Sequence, residues 1–418
     1  MGLVLKIFRS ALLIITAATL ALSLFGGFFG KRKEELSASA EETENVWDNL
    51  SFAKGEPVFK AGDISVSAKS AVLCTDSGIL LYEKQADVPL PMASITKVMT
   101  AITVLDTLGV KDTADAEALK KEVNVEKAAV GIEGSSVYLK ENERVTLEML
   151  LYSLMLESAN DAASAIAVAV GGSEESFVAA MNEKARSLRM ESTVFKNPHG
   201  LSDEGHYTTA RDYARLMAYA IDNPVFCQII STRKAVFPSA DGEMTRVLTN
   251  HNRLLTTYKD MIGGKTGFTK VSGRTLVTAA ERNGTRLICV TINAPDDWND
   301  HVSLFENGFS AVKTEIMGED RLYTDVPVAC GDAETVRCAV KESVRVSTLN
   351  GADITVKYYC RTMLLAPIKL GDEIGRAEIY VSGEKVTECR LYAVSEVKCV
   401  TETEKTPLFK RITAWLKG

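Results

Sequence analysis

The chain has 418 residues, with 48 lysines and arginines against 55 aspartates and glutamates, for a net charge of −7. Its 46% hydrophobic and 25% charged residues are the balance of a globular protein of two or three domains with a sizeable core. The acidic charge, with no lysine–arginine stripe interleaved with aromatics, excludes a basic nucleic-acid-binding face. No CxxC pair occurs, and His199, His206, His251 and His301 form no HExxH or other ligand-spaced cluster, so neither a metal nor any other cofactor is indicated. The eight cysteines read as free thiols filling small core positions, although five of them lie after residue 329, where a bridge is feasible.

In chain order, Lys6 and Arg9 precede an uncharged run from Ser10 to Gly30, and then "KRKEE". That run is long enough to span a bilayer as a helix. Residues 1–30 are therefore expected to be a signal peptide or an N-terminal membrane anchor. "ASA" at 38–40 offers a cleavage site, against which Lys31, Arg32 and Lys33 weigh. Residues 31–60, charged and without period, read as a tether.

"SAVLCTD", Ser77-Gly78 and "ILLYEK" predict a hairpin. "PMASITKVMT", 91–100, opens a helix whose apolar residues, Val98 to Leu108, cover all sides, as in a buried helix; Gly109 is placed to end it. Thr146 caps a second apolar helix, "ESAND" interrupts it, and a further helix runs from about Asp161 to Val170. "RDYARLMAYAI" is amphipathic. "RTLVTAAE", Asn283-Gly284 and "TRLICVTINA" form a hairpin with a strong two-residue turn signal. Hairpins at both ends of a helical middle predict an antiparallel sheet flanked by helices over 61–315.

Residues 318–400 are short alternating runs between Gly, Asp and Asn turns, and read as a small all-β domain. The tail differs again. Leu408, Phe409, Ile412, Trp415 and Leu416 share one helical face, with Lys410, Arg411 and Lys417 on the other. Residues 403–418 are expected to form an amphipathic helix lying in a membrane surface.

Three pairings of polar groups stand out. Ser94 and Lys97 are three apart, so they share a helical face near its positive end. A lysine held in a desolvated place has its charge disfavoured and can take a serine proton. Ser158 and Asn160 break an apolar helical region, where polar groups need partners. Lys265, Thr266 and Gly267 follow two glycines and precede a hairpin. This places them on an edge strand, whose free N–H groups suit an incoming extended peptide.

In order, SxxK, SxN and KTG resemble the penicillin-binding proteins and serine β-lactamases. The text around them, "GILLYEKQADVPLPMASITKVMTA", "LESANDAASAIA", "NPHGLSDEGHYTTARDYARL" and "IGGKTGFTKVSGRTLVTAA", is similar to the S11-type D-alanyl-D-alanine carboxypeptidases, from about residue 64 to 313. The likeness continues, more weakly, through their C-terminal β domain. It implies an α/β (α+β) transpeptidase-like domain with an antiparallel sheet, then a small all-β domain. It implies a membrane-associated, extracytoplasmic enzyme that removes the terminal D-Ala from peptidoglycan stems and is acylated by β-lactams. Ser94 would be the nucleophile, Lys97 its base and Ser158 the proton relay. Asn160 would orient Lys97 and bind the substrate amide, and Lys265 and Thr266 would hold the terminal carboxylate. Gly267 would give room for close approach, and the N–H groups of Ser94 and Phe268 would form the oxyanion hole. Ala159, Gly263 and Arg274 depart from the usual pattern without removing a catalytic group. A β-lactamase or endopeptidase of the same superfamily, and a non-catalytic cell-wall scaffold, are the alternatives.

Overall fold

The computed structural model describes residues 52–60, 62–238, 245–349 and 351–400. The expected leader and amphipathic tail lie outside these residues.

The first layer is a five-stranded antiparallel sheet. Strands β1 (Ser70–Thr75) and β2 (Leu80–Lys84) form the first hairpin; β3 (Met261–Thr269), β4 (Gly273–Arg282) and β5 (Thr285–Ile292) form the rest. Their order is β2-β1-β5-β4-β3, so the first hairpin joins the last three strands through β1 and β5, Val72 facing Val290. The Asn283-Gly284 turn joins β4 to β5, both residues at positive φ. Strand β3 lies at the edge, as the position of KTG predicts.

Four helices, α1 (Lys97–Thr107), α2 (Leu147–Leu156), α3 (Asn160–Gly171) and α4 (Glu174–Ser187), pack on one another, while α5 (Ala210–Ala220), α6 (Pro224–Ser231) and α7 (Asp297–Ala311) pack on this sheet. Residues Lys97 through Leu105 of α1 are all buried, which is what its all-round apolar pattern requires. Thr146 Oγ1 caps α2 by accepting from Met149 N at 3.1 Å.

The packed structure begins before Ile64. Phe52 is 2% exposed, Ala53 N donates to Gly78 O, and Phe59 N donates to Leu81 O. Residues 52–60 of the expected tether are thus laid on the β1–β2 hairpin.

After α7 the chain enters β6 (Val312–Met317), β7 (Tyr323–Ala329), β8 (Thr335–Ala339), β9 (Val344–Leu349), β10 (Ile354–Cys360), β11 (Leu364–Leu365), β12 (Glu373–Val381) and β13 (Glu384–Ala393). Strands β6 and β9 pair as a ribbon, and the others form a sheet in the order β10-β12-β13-β8-β7-β11. This region has its own core, including Val326, Val336, Cys338, Ile379 and Leu391. All eight cysteines are free; Cys74, Cys289 and Cys338 are buried.

Candidate active site

Ser94 lies in a 3-10 turn, Ala93–Thr96, that runs directly into α1 at Lys97. In a 3-10 turn residues i and i+3 stack over one another. Lys97 Nζ is accordingly 3.1 Å from Ser94 Oγ. Lys97 is 0% exposed, and its other contacts are Asn160 Oδ1 at 2.7 Å and the His199 carbonyl. A neutral amine has two N–H donors and one lone pair. Two acceptors and one serine hydroxyl match that inventory. Burial pulls Lys97 well below the usual lysine range, and the positive charge of nearby Lys265 pulls the same way.

Asn160 is the first residue of α3, and two contacts hold its amide. Oδ1 accepts from Lys97, and Nδ2 donates to Glu133 O at 2.5 Å. Asp161 fastens the same loop to α3. Its carboxylate accepts from Ser136 Oγ, Val137 N and Leu139 N at 2.7, 3.2 and 3.0 Å. Ser158, 6% exposed, sits between α2 and α3 at φ +59, a left-handed conformation uncommon for serine. Among the described residues its hydroxyl makes no hydrogen bond.

The third wall is β3. Lys265 is 1% exposed, and its ammonium donates to Thr266 O at 2.9 Å. Burial lowers its pKa to about 7. Gly267 brings β3 against the turn that carries Ser94: a Cβ there would stand 2.8 Å from Ser94 N and 2.4 Å from Thr275 Oγ1. Thr275 Oγ1 also donates to Met92 O at 3.0 Å, fastening β4 to the same turn. Phe268, next along the edge, is 67% exposed. The structure therefore brings together all three motif segments. It gives Ser94–Lys97–Asn160 a continuous set of bonds, and sets Lys265, Thr266, Gly267 and Phe268 on the strand beside them.

Two departures from the usual pattern have local reasons. A Cβ at Gly263 would lie 2.6 Å from Ile230 O, so α6 leaves no room for a side chain. Arg274 donates to Asp297 Oδ1 at 3.0 and 2.8 Å and lies over Trp298.

Several supporting residues lie outside the motifs, among them His206, whose place in a loop near the site suggests a structural hydrogen-bonding role. Thr96 Oγ1 donates to Ala93 O at 2.7 Å and meets His206 Nε2 at 2.8 Å. His206 Nδ1 accepts from Lys196 N at 2.9 Å, which puts the ring proton on Nε2, facing Thr96. Burial lowers the pKa of His206 to about 4, so the ring stays neutral. Gly200, at φ +88, lies so close that a Cβ would overlap Ala93 O. These groups hold Ala93, itself at φ +51, and with it the turn that carries Ser94. His206→Ala is expected to slow acylation roughly ten-fold, the kinetic equivalent of one positioning hydrogen bond. Stopped-flow measurement of the acylation rate with a chromogenic β-lactam checks this.

A serine hydroxyl bonded to a fully buried amine, beside an edge strand carrying a buried lysine, defines a serine acyl-transfer enzyme of the penicillin-binding type. Comparison with known proteins agrees. A family model described as D-alanyl-D-alanine carboxypeptidase, peptidase S11, matches residues 57–296, and one described as the C-terminal domain of penicillin-binding protein 5 matches residues 313–399. The chain is 29% identical over 349 residues to D-alanyl-D-alanine carboxypeptidase DacF of Bacillus subtilis (strain 168), covering 81% of this chain and 88% of the relative. It is 32% identical over 350 residues to D-alanyl-D-alanine carboxypeptidase DacC of Escherichia coli (strain K12), covering 80% and 85%. The crystal structure of penicillin-binding protein 5 from Haemophilus influenzae matches with a TM-score of 0.59 at 26% identity, covering 80% of this chain and 98% of that one. The chain belongs to the D-alanyl-D-alanine carboxypeptidase family.

Proposed function

We propose that this enzyme removes the terminal D-Ala from peptidoglycan pentapeptide stems through an acyl-enzyme on Ser94. The observation that carries the reading is the buried Lys97 amine, hydrogen-bonded to Ser94 Oγ and held by Asn160 and the His199 carbonyl. Lys97 takes the Ser94 proton as Oγ attacks the carbonyl of the penultimate D-Ala. The N–H groups of Ser94 and Phe268 receive the developing oxyanion. Ser158, whose hydroxyl is free to rotate, passes a proton to the leaving amine. Lys265 and Thr266 bind the terminal carboxylate, and Asn160 the substrate amide. Water then hydrolyses the ester. Penicillin, an analogue of the same acyl donor, stops at the ester stage.

The substrate class places this chemistry on the cell-wall side of the cytoplasmic membrane. The apolar run of 10–30 and the basic amphipathic pattern of 403–418 support export and membrane association.

The test incubates the protein with diacetyl-Lys-D-Ala-D-Ala and, separately, with labelled penicillin. Release of free D-Ala, with a penicillin adduct mapped to the peptide containing Ser94, is the expected result. An adduct without D-Ala release points instead to a different peptide substrate, as for an endopeptidase, or to a slow deacylation step. Neither signal from folded protein returns the chain to a scaffold role.

The lysine pair makes the reaction pH-dependent. Lys265 is charged below about 7 and neutral above, so its hold on a carboxylate weakens as pH rises. In kcat/KM, which reports the free enzyme, a falling limb is expected above about pH 7. Lys97 gives the opposite limb, since only its neutral form accepts a proton. A peptide ending in a carboxamide should lack the falling limb, and a pH profile of both peptides separates the two lysines.

A further inference from the structure

One buried cation near the site belongs to none of the three motifs. Residues Lys234–Pro238 and Thr245–Thr249 pair as a two-stranded ribbon, and the second strand alternates, with Arg246 and Leu248 buried and Val247 and Thr249 exposed. Leu248 joins the main core, and Phe237, opposite Arg246, packs on Tyr152 of α2 with ring centroids 5.4 Å apart. Arg246 is 8% exposed. Burying a guanidinium is costly unless its donors are answered, so its partners say what it holds.

Those partners lie at the two ends of one loop segment. Arg246 Nε donates to Val137 O at 3.2 Å, and the two terminal nitrogens donate to the two carboxylate oxygens of Glu143 at 2.5 and 2.9 Å. Glu143 Oε2 also accepts from Lys140 N at 3.0 Å, which wraps the intervening chain around the pair. One planar fork thus spans residues 137–143, a reach that a single ammonium lacks. The residues just before this span hold the second motif. Asn160 N donates to Ser135 O at 2.7 Å, and Asn160 Nδ2 donates to Glu133 O. An amide side chain can turn about Cβ–Cγ and exchange its oxygen and nitrogen. With Glu133 O in place, Nδ2 is fixed there and Oδ1 falls on Lys97 Nζ. The line from the guanidinium through the loop and Asn160 to the amine is therefore continuous. The same strand also reaches the residue before Ser158, where Thr249 N donates to Glu157 Oε1 at 2.6 Å.

We infer that Arg246, paired with Glu143, is a positioning residue for acylation. It fixes residues 133–143, and through Glu133 O and Ser135 O it fixes the Asn160 amide that aims Lys97 at Ser94. The inference rests on the proposed roles of Lys97 and Asn160.

The test is a double-mutant cycle in the full chain, read as the second-order rate of Ser94 acylation by a chromogenic β-lactam. Arg246→Met keeps an apolar stem and removes the fork, and Asn160→Ala removes the amide through which the fork acts. Arg246→Met is expected to slow acylation roughly thirty-fold, the kinetic equivalent of one hydrogen bond to a charged group. In the Asn160→Ala background the same substitution should cost no more than about two-fold. Glu143→Gln removes the charge and keeps the shape. It should show the same coupling with a smaller loss, and it serves where Arg246→Met fails to fold. The pH profile is the second reading. Lys97 has Lys265 and Asp161 as charged neighbours, and neither is altered by these substitutions. An acceptor lost from Lys97 disfavours its ammonium, so the rising limb of the rate should move to lower pH in Arg246→Met. An equal loss in both backgrounds with the limb unmoved overturns the inference and leaves Arg246 as a brace of the fold. A lower melting temperature with an unchanged acylation rate overturns it as well. If Asn160→Ala alone acylates at the wild-type rate, the proposed role of Asn160 falls and the inference with it. A slow Asn160→Ala beside a fast Arg246→Met rejects the inference alone.

Discussion

Lys97→Arg is expected to lower the rate of Ser94 acylation by roughly a thousand-fold, near the upper range for loss of a general base. Arginine keeps the positive charge on a somewhat longer side chain. It does not lose its proton in a protein, and it offers no lone pair to a serine hydroxyl. The substitution therefore separates two roles that alanine would remove together. If Lys97 acts as a base, the arginine variant is as inactive as Lys97→Ala. If Lys97 acts only as a fixed cation, arginine retains most of the activity. The surroundings favour the base. Lys97 is fully buried, and Lys265 adds positive charge nearby, so both effects favour the neutral amine. Asn160 Oδ1 and the His199 carbonyl occupy two donors and leave the third direction to Ser94. The measurement is the second-order rate of penicillin adduct formation, with retained circular dichroism as the fold control. Arginine activity within ten-fold of wild type would contradict the base role.

The residues of the proposed site stand out in the sequence because each motif breaks a local rule. A lysine inside an apolar helix, polar groups interrupting a second one, and a lysine following two glycines on a strand each need an explanation. Three such breaks in one order pointed to one chemistry. The β1–β2 hairpin, the β4–β5 turn and the all-β texture after residue 318 were legible for a simpler reason: alternation and turn residues are local signals.

What supports the site was not legible, because it is assembled from distant residues that obey local rules. Thr96 and His206 are 110 positions apart and Lys97 and His199 are 102 apart. A threonine in a helical turn and a histidine in a loop carry no mark of their pairing. Asp161 is an ordinary acidic residue for a helix N-terminus, and only the fold shows it gathering the backbone of Val137 and Leu139. The left-handed backbone at Ser158 was hidden as well, since serine, unlike glycine, does not announce a positive φ. Phe52 sat in a charged stretch without period, and only its contacts place it in the core.

Gly267→Ala is expected to cost roughly a hundred-fold or more in acylation, the scale of losing one oxyanion donor. The reason is steric and lies in the backbone. The added methyl would stand 2.4 Å from Thr275 Oγ1, 2.8 Å from Ser94 N and 3.1 Å from Ile95 N. Thr275 is tethered to Met92 O and cannot turn away without giving up that bond. The strand must therefore move from the nucleophile turn. That motion separates the N–H groups of Ser94 and Phe268, which in the proposed mechanism converge on one oxygen. It leaves Ser94 Oγ and Lys97 Nζ on their own element, with their 3.1 Å contact intact. The loss should consequently fall on stabilisation of the charged intermediate while the base remains competent. Transition-state mimics distinguish the cases: a boronic acid that forms a tetrahedral adduct on Ser94 should lose affinity in Gly267→Ala in proportion to the loss in acylation rate. If boronate binding is unchanged while acylation falls, the strand has not moved from the turn, and the approach of β3 to Ser94 serves something other than the oxyanion.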